Sequence, residues 1–258
     1  MRFSVLGSGS GGNSVLVESG QTSILIDAGF SGKELEKRLG LIDRTLQSIK
    51  AICLTHEHRD HISGVGVIAR KYNTTVWGNE KTLQGSERII KKIPVAREFQ
   101  TGDILQLDDL EVRSFPVMHD TSDPVGYTVS DGKVTLGICT DTGHVSHLMA
   151  KRLSQCEALI LEFNHDPDLL RLGPYPLRLQ QRVRSRHGHL ANGDSAKFLK
   201  QLCHPSLETV VLAHLSETNN SPDHALTSAR ETLCEEQHVD IMVASQNSPL
   251  PIIEIASR

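Results

Sequence analysis

No run of apolar residues in this chain of 258 approaches the roughly 18 that a membrane-spanning helix needs, so the sequence offers no spanning segment. The opening Met1-Arg2-Phe3-Ser4-Val5-Leu6-Gly7 has too short an apolar stretch for a signal-peptide core, and no small-residue cleavage site follows it. A cytoplasmic location is the expectation. Cysteine is sparse: Cys53, Cys139, Cys156, Cys203 and Cys234 lie at wide, irregular spacing. An odd, scattered set argues against a closed disulfide framework and reads as reduced, mostly buried thiols. Positive charge is not in excess either, since the net charge is −4. That excludes a globally basic nucleic-acid binder and leaves a local patch as the only route to a polyanion. Neither a low-complexity linker nor a solenoid repeat divides the chain, and one domain over residues 1–258 is expected.

Histidine is plentiful: 13 residues, several beside aspartate or glycine rather than inside apolar periodic segments, which invites a metal-binding reading. Short apolar runs between glycine-rich breaks predict strands at Phe3 to Leu6, Ser14 to Glu18 and Ser23 to Asp27. Ser31 as a cap, Glu34 three residues on and Gly40 as a stop predict a helix from Ser31 to Leu39. Further strands are expected at Lys50 to Leu54, Thr75 to Trp77, Glu111 to Phe115, Val125 to Val129, Val134 to Cys139, Ala158 to Glu162, Thr209 to Ala213 and Ile252 to Ile255. Helices are expected over 61–72, 80–91, 144–155, 191–203 and 222–237. Strand clusters and helices in both halves predict two sheets packed face to face with helices outside, a four-layer αββα sandwich.

The segment His56-Glu57-His58-Arg59-Asp60-His61 places three imidazoles and a carboxylate within six residues, directly after an apolar strand. A turn there can aim His56, His58, Asp60 and His61 inward, and imidazole nitrogen with carboxylate oxygen suits Zn²⁺ and similar ions. Two such ions need about six to eight ligands, so more must come from elsewhere. His119, Asp141 and His214 each follow an apolar run ending in a ligand-type residue. Singly, each is weak: a histidine at a strand end is often only hydrogen-bonded, and Asp141 can cap the helix that follows. Together with the first cluster they supply the missing donors.

The HxHxDH run, with Asp27 upstream and His119, Asp141 and His214 downstream in order, resembles the metallo-β-lactamase superfamily over nearly the whole chain. Gly7-Ser8-Gly9-Ser10-Gly11-Gly12-Asn13-Ser14, Gly64-Val65-Gly66-Val67, Leu161-Glu162-Phe163-Asn164-His165-Asp166, Gly188-His189-Leu190 and Ala213-His214-Leu215-Ser216 resemble its YycJ (WalJ) branch more narrowly. That branch is regarded as DNA-directed, 5′-to-3′ exonucleases. The resemblance implies one ion on His56, His58 and His119 and a second on Asp60, His61 and His214. Asp141 would bridge them, and a hydroxide between the ions would serve as nucleophile. Zn²⁺ is favoured over Mn²⁺.

Phosphodiester hydrolysis also needs a proton for the leaving oxygen. His189, in His187-Gly188-His189-Leu190, resembles the acid of the more distantly related tRNA 3′-processing ribonuclease Z, and Glu162 matches the carboxylate that orients it. His165 and His187 remain rivals for that role. Residues 167–188 carry Arg171, Arg178, Arg182, Arg184 and Arg186 against one acid, Asp168. This segment suits a phosphate backbone, although a solvated amphipathic face would look similar. Tyr175 can stack on a base. The leading expectation is therefore a dinuclear metal phosphodiesterase acting on nucleic acid, DNA more than RNA. A small thioester, lactone or β-lactam hydrolase on the same metal core is the alternative, and a non-catalytic partner protein stands third. Gly7, Gly9 and Gly12 formally spell a dinucleotide fingerprint, but Asn13 to Glu18 continues as a strand rather than the helix such a site requires. A tight turn lining the metal cleft is the better reading there, and Asn247-Ser248-Pro249 reads as a plain turn.

Overall fold

The computed structural model describes residues 1–20, 22–233 and 239–256. The chain opens with the antiparallel strands β1 (Arg2–Gly7), β2 (Ser14–Ser19) and β3 (Thr22–Ile26), followed by helix α1 (Gly32–Gly40). Strands β4 (Ile49–Cys53), β5 (Thr75–Asn79) and β6 (Ala96–Phe99) then add in parallel, with α2 (Arg59–Ile62), α3 (Val65–Tyr72) and α4 (Glu80–Ile90) in the connections. The second sheet starts as a meander of β7 (Ile104–Leu107), β8 (Leu110–Pro116), β9 (Val125–Ser130) and β10 (Thr135–Cys139). After α5 (His147–Leu153) it continues in parallel through β11 (Ala158–Glu162). Helices α6 (Pro167–Leu172), α7 (Leu177–Val183) and α8 (Asn192–Leu202) precede β12 (Thr209–Ala213), and α9 (Pro222–Thr232) precedes β13 (Asp240–Val243). Strand β14 (Ile253–Glu254) returns to pair with β1, giving sheet orders β14-β1-β2-β3-β4-β5-β6 and β13-β12-β11-β10-β9-β8-β7.

Period-2 alternation sorts the side chains into layers. On β2, Val15 and Val17 enter the core between the sheets while Leu16 packs under the outer helices of the first sheet. On β11, Ala158 and Ile160 face the same inter-sheet core, and Leu159 and Leu161 pack beneath α5, α8 and α9. Three apolar clusters therefore separate four layers, the αββα arrangement expected from the strand and helix pattern. Strands this buried on both faces read as continuous apolar runs, which is why they are legible in sequence.

Where elements escape the sequence pattern, burial explains it. Strand β6 (Ala-Arg-Glu-Phe) buries only Phe99, and α7 buries none of its residues, so neither shows a strong apolar period. Strands β7 and β13 and helix α6 also lie outside the sequence-based expectations. The expected helix over 61–72 is divided at Ser63 and Gly64, because Gly64 N–H donates to Ala28 O and a Cβ on Gly64 would sit 2.2 Å from Phe30 O. Helix α1 begins as expected, with the Ser31 hydroxyl accepting from Glu34 N–H. Of the expected helix over 222–237, α9 covers Pro222–Thr232, and residues 234–238, including Cys234, lie outside the described residues. Cys53, Cys139 and Cys156 are buried.

Three loops at the site end are stitched through backbone. Asn13 N–H donates to Asp60 O, Gly29 N–H to Asn13 O, and Ala28 N–H to His61 O. At Gly29 an added Cβ would lie 1.7 Å from Asp60 O and 2.6 Å from Asn13 N, so only glycine allows this approach. Gly29→Ala is expected to destabilise the protein by at least about 2 kcal/mol in urea unfolding, as overpacking of a closed site does. A change under about 0.5 kcal/mol, typical of an open surface position, would contradict the stitching.

Candidate metal centre

The candidate donors cluster at or just beyond strand ends, with Asp60 and His61 in the short helix α2 that follows β4. Asp27 follows β3, His56 to His61 follow β4, His119 follows β8, Asp141 follows β10, Glu162 closes β11 and His214 follows β12. Asp27, Asp141 and His214 hold left-handed backbone, with φ of 60°, 56° and 56°. Non-glycine residues enter that region rarely, and it costs free energy that the surrounding fold must cover. The sharp turns re-aim each side chain across the strand ends.

The donors converge. His56, His58 and His119 each offer a nitrogen, and these atoms lie within 4.8 Å of one another. The same holds for Asp60, His61 and His214, and for His56, His61 and Asp141. Three buried polar atoms in this cluster have no hydrogen-bond partner: His56 Nε2, His214 Nε2 and Asp141 Oδ2. Asp141 Oδ2 has His61 Nε2 at 3.5 Å, beyond a well-formed hydrogen bond. Orphaned buried donors and acceptors are costly and rare, and their concentration at one point suits a cation among them. The nitrogen and carboxylate set fits a borderline divalent ion. A fourth convergent group, Asp141, Glu162, His189 and His214, is different in kind. Glu162 there already accepts from Thr142 N–H, Leu190 N–H and the two imidazoles, so it reads as a hydrogen-bonded brace.

Electrostatics agrees with that picture. Burial, then the neighbouring His61, holds the His56 pKa well below its ordinary value, and burial lowers His119 also, leaving lone pairs for coordination. Burial opposes charge on His61 and His214, but the surrounding carboxylates together outweigh it, Asp141 with Asp27 raising His61 well above its usual range and Asp141 with Asp60 and Glu162 raising His214 to about 10. Burial likewise opposes the Asp141 carboxylate, yet His214 and His61 keep it well below the normal carboxylate pKa. A cation entering this cluster displaces protons from the imidazoles that pair with Asp141. Behind the cluster, His61 Nδ1 lies 2.7 Å from Asp27 Oδ2, and Asp27 in turn accepts from Thr55 N–H and the Thr55 hydroxyl. That chain fixes the His61 tautomer and points Nε2 at the donors.

Residues 22–215 match the family described as the beta-lactamase superfamily domain. Exodeoxyribonuclease YycJ of Bacillus anthracis is 38% identical over 237 residues, covering 91% of this chain and 90% of that protein. The chain belongs to the metallo-β-lactamase superfamily. Its fold is similar to the metallo-β-lactamase fold protein YhfI of Bacillus subtilis, with a TM-score of 0.75 at 17% identity over 96% of this chain and 98% of that one. The short form of human tRNase Z gives a TM-score of 0.69 at 18% identity, over 99% and 100% of the two chains. At such identities the structures speak for the fold.

Around the metallo-β-lactamase donor set lies an open cavity of about 410 Å³. Of the three histidines weighed as proton donors, only His189 lines it, with Nδ1 2.7 Å from Glu162 Oε1 and its ring 5.0 Å from that of His119. His165 is buried, lies 3.3 Å from Asn164 Oδ1, and has its pKa pushed down to about 4 by burial, while His187 is exposed and away from the cavity lining. Tyr175 and Arg182 line the cavity; Arg171 pairs with Asp168 at the surface, and Arg178 is exposed outside the lining. The glycine-rich turn reaches the site through Ser10 and through Asn13, whose amide nitrogen lies 3.0 Å from His61 Nε2 and 3.2 Å from Asp60 Oδ2.

Sequence reasoning passes over Asp120, which ion-pairs with Arg182 and lies 3.4 Å from His119 Nε2, although its place beside His119 is a usable signal. Asn164, Ser216 and Asn219 also line the cavity; Asn164 and Ser216 fall inside runs that carry the family resemblance, whereas nothing in the local sequence marks Asn219. Burial opposes the Glu162 carboxylate, but the charge and hydrogen bond of His189, with that of His214, bring its pKa to about 2. A depressed carboxylate pKa adds stability above the unfolded value, about 4.5, that is lost as pH falls toward about 2. In metal-stripped protein the stability gap between wild type and Glu162→Gln should therefore shrink as pH drops through that window. A gap constant with pH would contradict the ionic role.

Proposed function

We propose that this chain is a metal-dependent phosphodiesterase that degrades nucleic acid from an end, DNA in preference to RNA. Its cofactors are two divalent ions, Zn²⁺ before Mn²⁺. His56, His58 and His119 would hold one ion, Asp60, His61 and His214 the other, with Asp141 shared between them. Bound ions supply Lewis-acid activation of water and of the phosphate.

The protein's own contribution is placement and proton handling. Asp60, partly exposed at the cavity, would help hold an ion and orient the attacking water. His189 donates the proton to the departing oxygen, and Glu162 holds its Nδ1 so that Nε2 faces the substrate. One observation carries the reading: His189 lines the same cavity as the donor cluster, braced by Glu162 and a ring's breadth from His119. The exodeoxyribonuclease relative, similar along nearly the whole chain, supports DNA as substrate. The arginines of residues 171–186, outside or at the rim of the cavity, would steer and clamp the backbone. No helix among the described residues is long and apolar enough to cross a membrane.

Two variants test the division of labour on oligonucleotides blocked at either the 5′ or the 3′ end. His189→Ala should keep its metal content and lose about 10²- to 10⁴-fold in kcat, the usual contribution of a general acid. Asp60→Ala should lose both metal and activity, and a 5′ block should protect the strand. Unchanged kcat in His189→Ala, or full metal content in Asp60→Ala, would overturn these roles.

A further inference from the structure

Residues 172–183 do something unusual for a soluble chain. Leu172 and Leu177 are 73% and 69% exposed, flanking Pro174-Tyr175-Pro176, and helix α7 beyond them buries none of its residues. A short helix with no buried face gains little from packing, so its position is set by specific ties. Arg182 ion-pairs with Asp120, and Val183 O accepts from His189 N–H. Both ties run to the metal-site loops. One face of this segment, Tyr175, Leu179 and Val183 with Arg182 at the end, forms a wall of the cavity, and Leu179 and Val183 are four apart and so share a helix face. Apart from Leu215 and Gly188, the remaining lining is polar or charged: Arg59, Ser10, Asn164, Ser216 and Asn219, with Asp120 and the metal donors.

Apolar surface left open in a site whose lining also carries Arg59 and Arg182 needs an occupant that is flat and apolar on one part and anionic on another. A nucleotide has both, the base for Tyr175, Leu179 and Val183 and the phosphate for Arg182 and the donor cluster. At about 410 Å³ the cavity is near the low end of small-molecule sites, roughly 300–1,000 Å³, with room for one nucleotide. Arg182 donates its Nε–H to Asp120, which sits 3.4 Å from His119 Nε2, so the guanidinium is fixed beside the donors with its terminal N–H groups left for a phosphate. We infer that this segment is a base-binding wall that accepts a single unpaired terminal nucleotide, stacked on Tyr175, and so makes the site selective for frayed or single-stranded ends. The inference rests on the phosphodiesterase reading above and adds to it which form of nucleic acid enters.

The test compares a single-stranded oligonucleotide with one carrying an abasic residue in place of the terminal base at the end being degraded, using metal-loaded wild type, Tyr175→Ala and Tyr175→Phe. Base stacking on an aromatic side chain is worth enough that removing either partner should raise KM about tenfold. Wild type and Tyr175→Phe should therefore prefer the base-bearing end by about tenfold, and Tyr175→Ala should treat the two ends alike. On duplexes, a terminal mismatch should be removed faster than a matched blunt end by wild type. Tyr175 is only half-buried, so the alanine variant should fold, and an unchanged Tm confirms it. Equal KM for base-bearing and abasic ends in wild type, or discrimination that survives in Tyr175→Ala, would overturn the base-binding wall while leaving the phosphodiesterase reading intact. Cleavage of neither oligonucleotide would overturn that reading, and the wall with it.

Discussion

Asp141 is the constraint around which the molecule is arranged. Its carboxylate is buried, one oxygen has no hydrogen-bond partner, and His61, His119 and His214 all lie within 3.9 Å. An isolated buried carboxylate is prohibitively costly, so the imidazoles and the cation they invite are what make this position tolerable. The fold spends conformational strain to achieve it, holding Asp27, Asp141 and His214 in left-handed backbone at three strand ends.

Everything outside the cluster serves its geometry. Parallel pairing of β10, β11 and β12 brings Asp141, Glu162 and His214 to one edge, since parallel strands all end on the same side. The opposite half of the donor set comes from the loop after β4, stitched by Gly29 and Asn13 to its neighbours. Two braces, Asp27 on His61 and Glu162 on His189 and His214, then set which ring nitrogen faces inward. The two sheets thus contribute one set each, and the inter-sheet core holds the halves in register.

Much of this is legible from residues because the relevant strands are buried on both faces and end abruptly in polar side chains. The run from His56 to His61 follows four successive buried apolar residues, Ala51 to Leu54, and the signal is local. Asp120 escapes recognition in sequence, and Asn13 is marked only as one residue of the glycine-rich run, because the significance of each lies in contacts 62 and 47 residues away, with Arg182 and Asp60. His165, His187 and His189 look alike in sequence, since what separates them is tertiary: His165 is buried behind a bridge to Ala191, His187 is exposed, and His189 lines the cavity. Helix α7 is obscure for a related reason. Its residues face the cavity or solvent rather than a core, so hydrophobic periodicity has nothing to report.

The claim that the cluster is a two-ion site is tested most directly by titrating chelator-stripped protein with Zn²⁺ while following bound metal and thermal unfolding. Saturation at two ions per chain is expected, with Tm rising through both equivalents because the ions bind the folded state alone, and Asp141→Asn should lose at least one of them. Saturation below one ion per chain, or a Tm indifferent to metal, would contradict it.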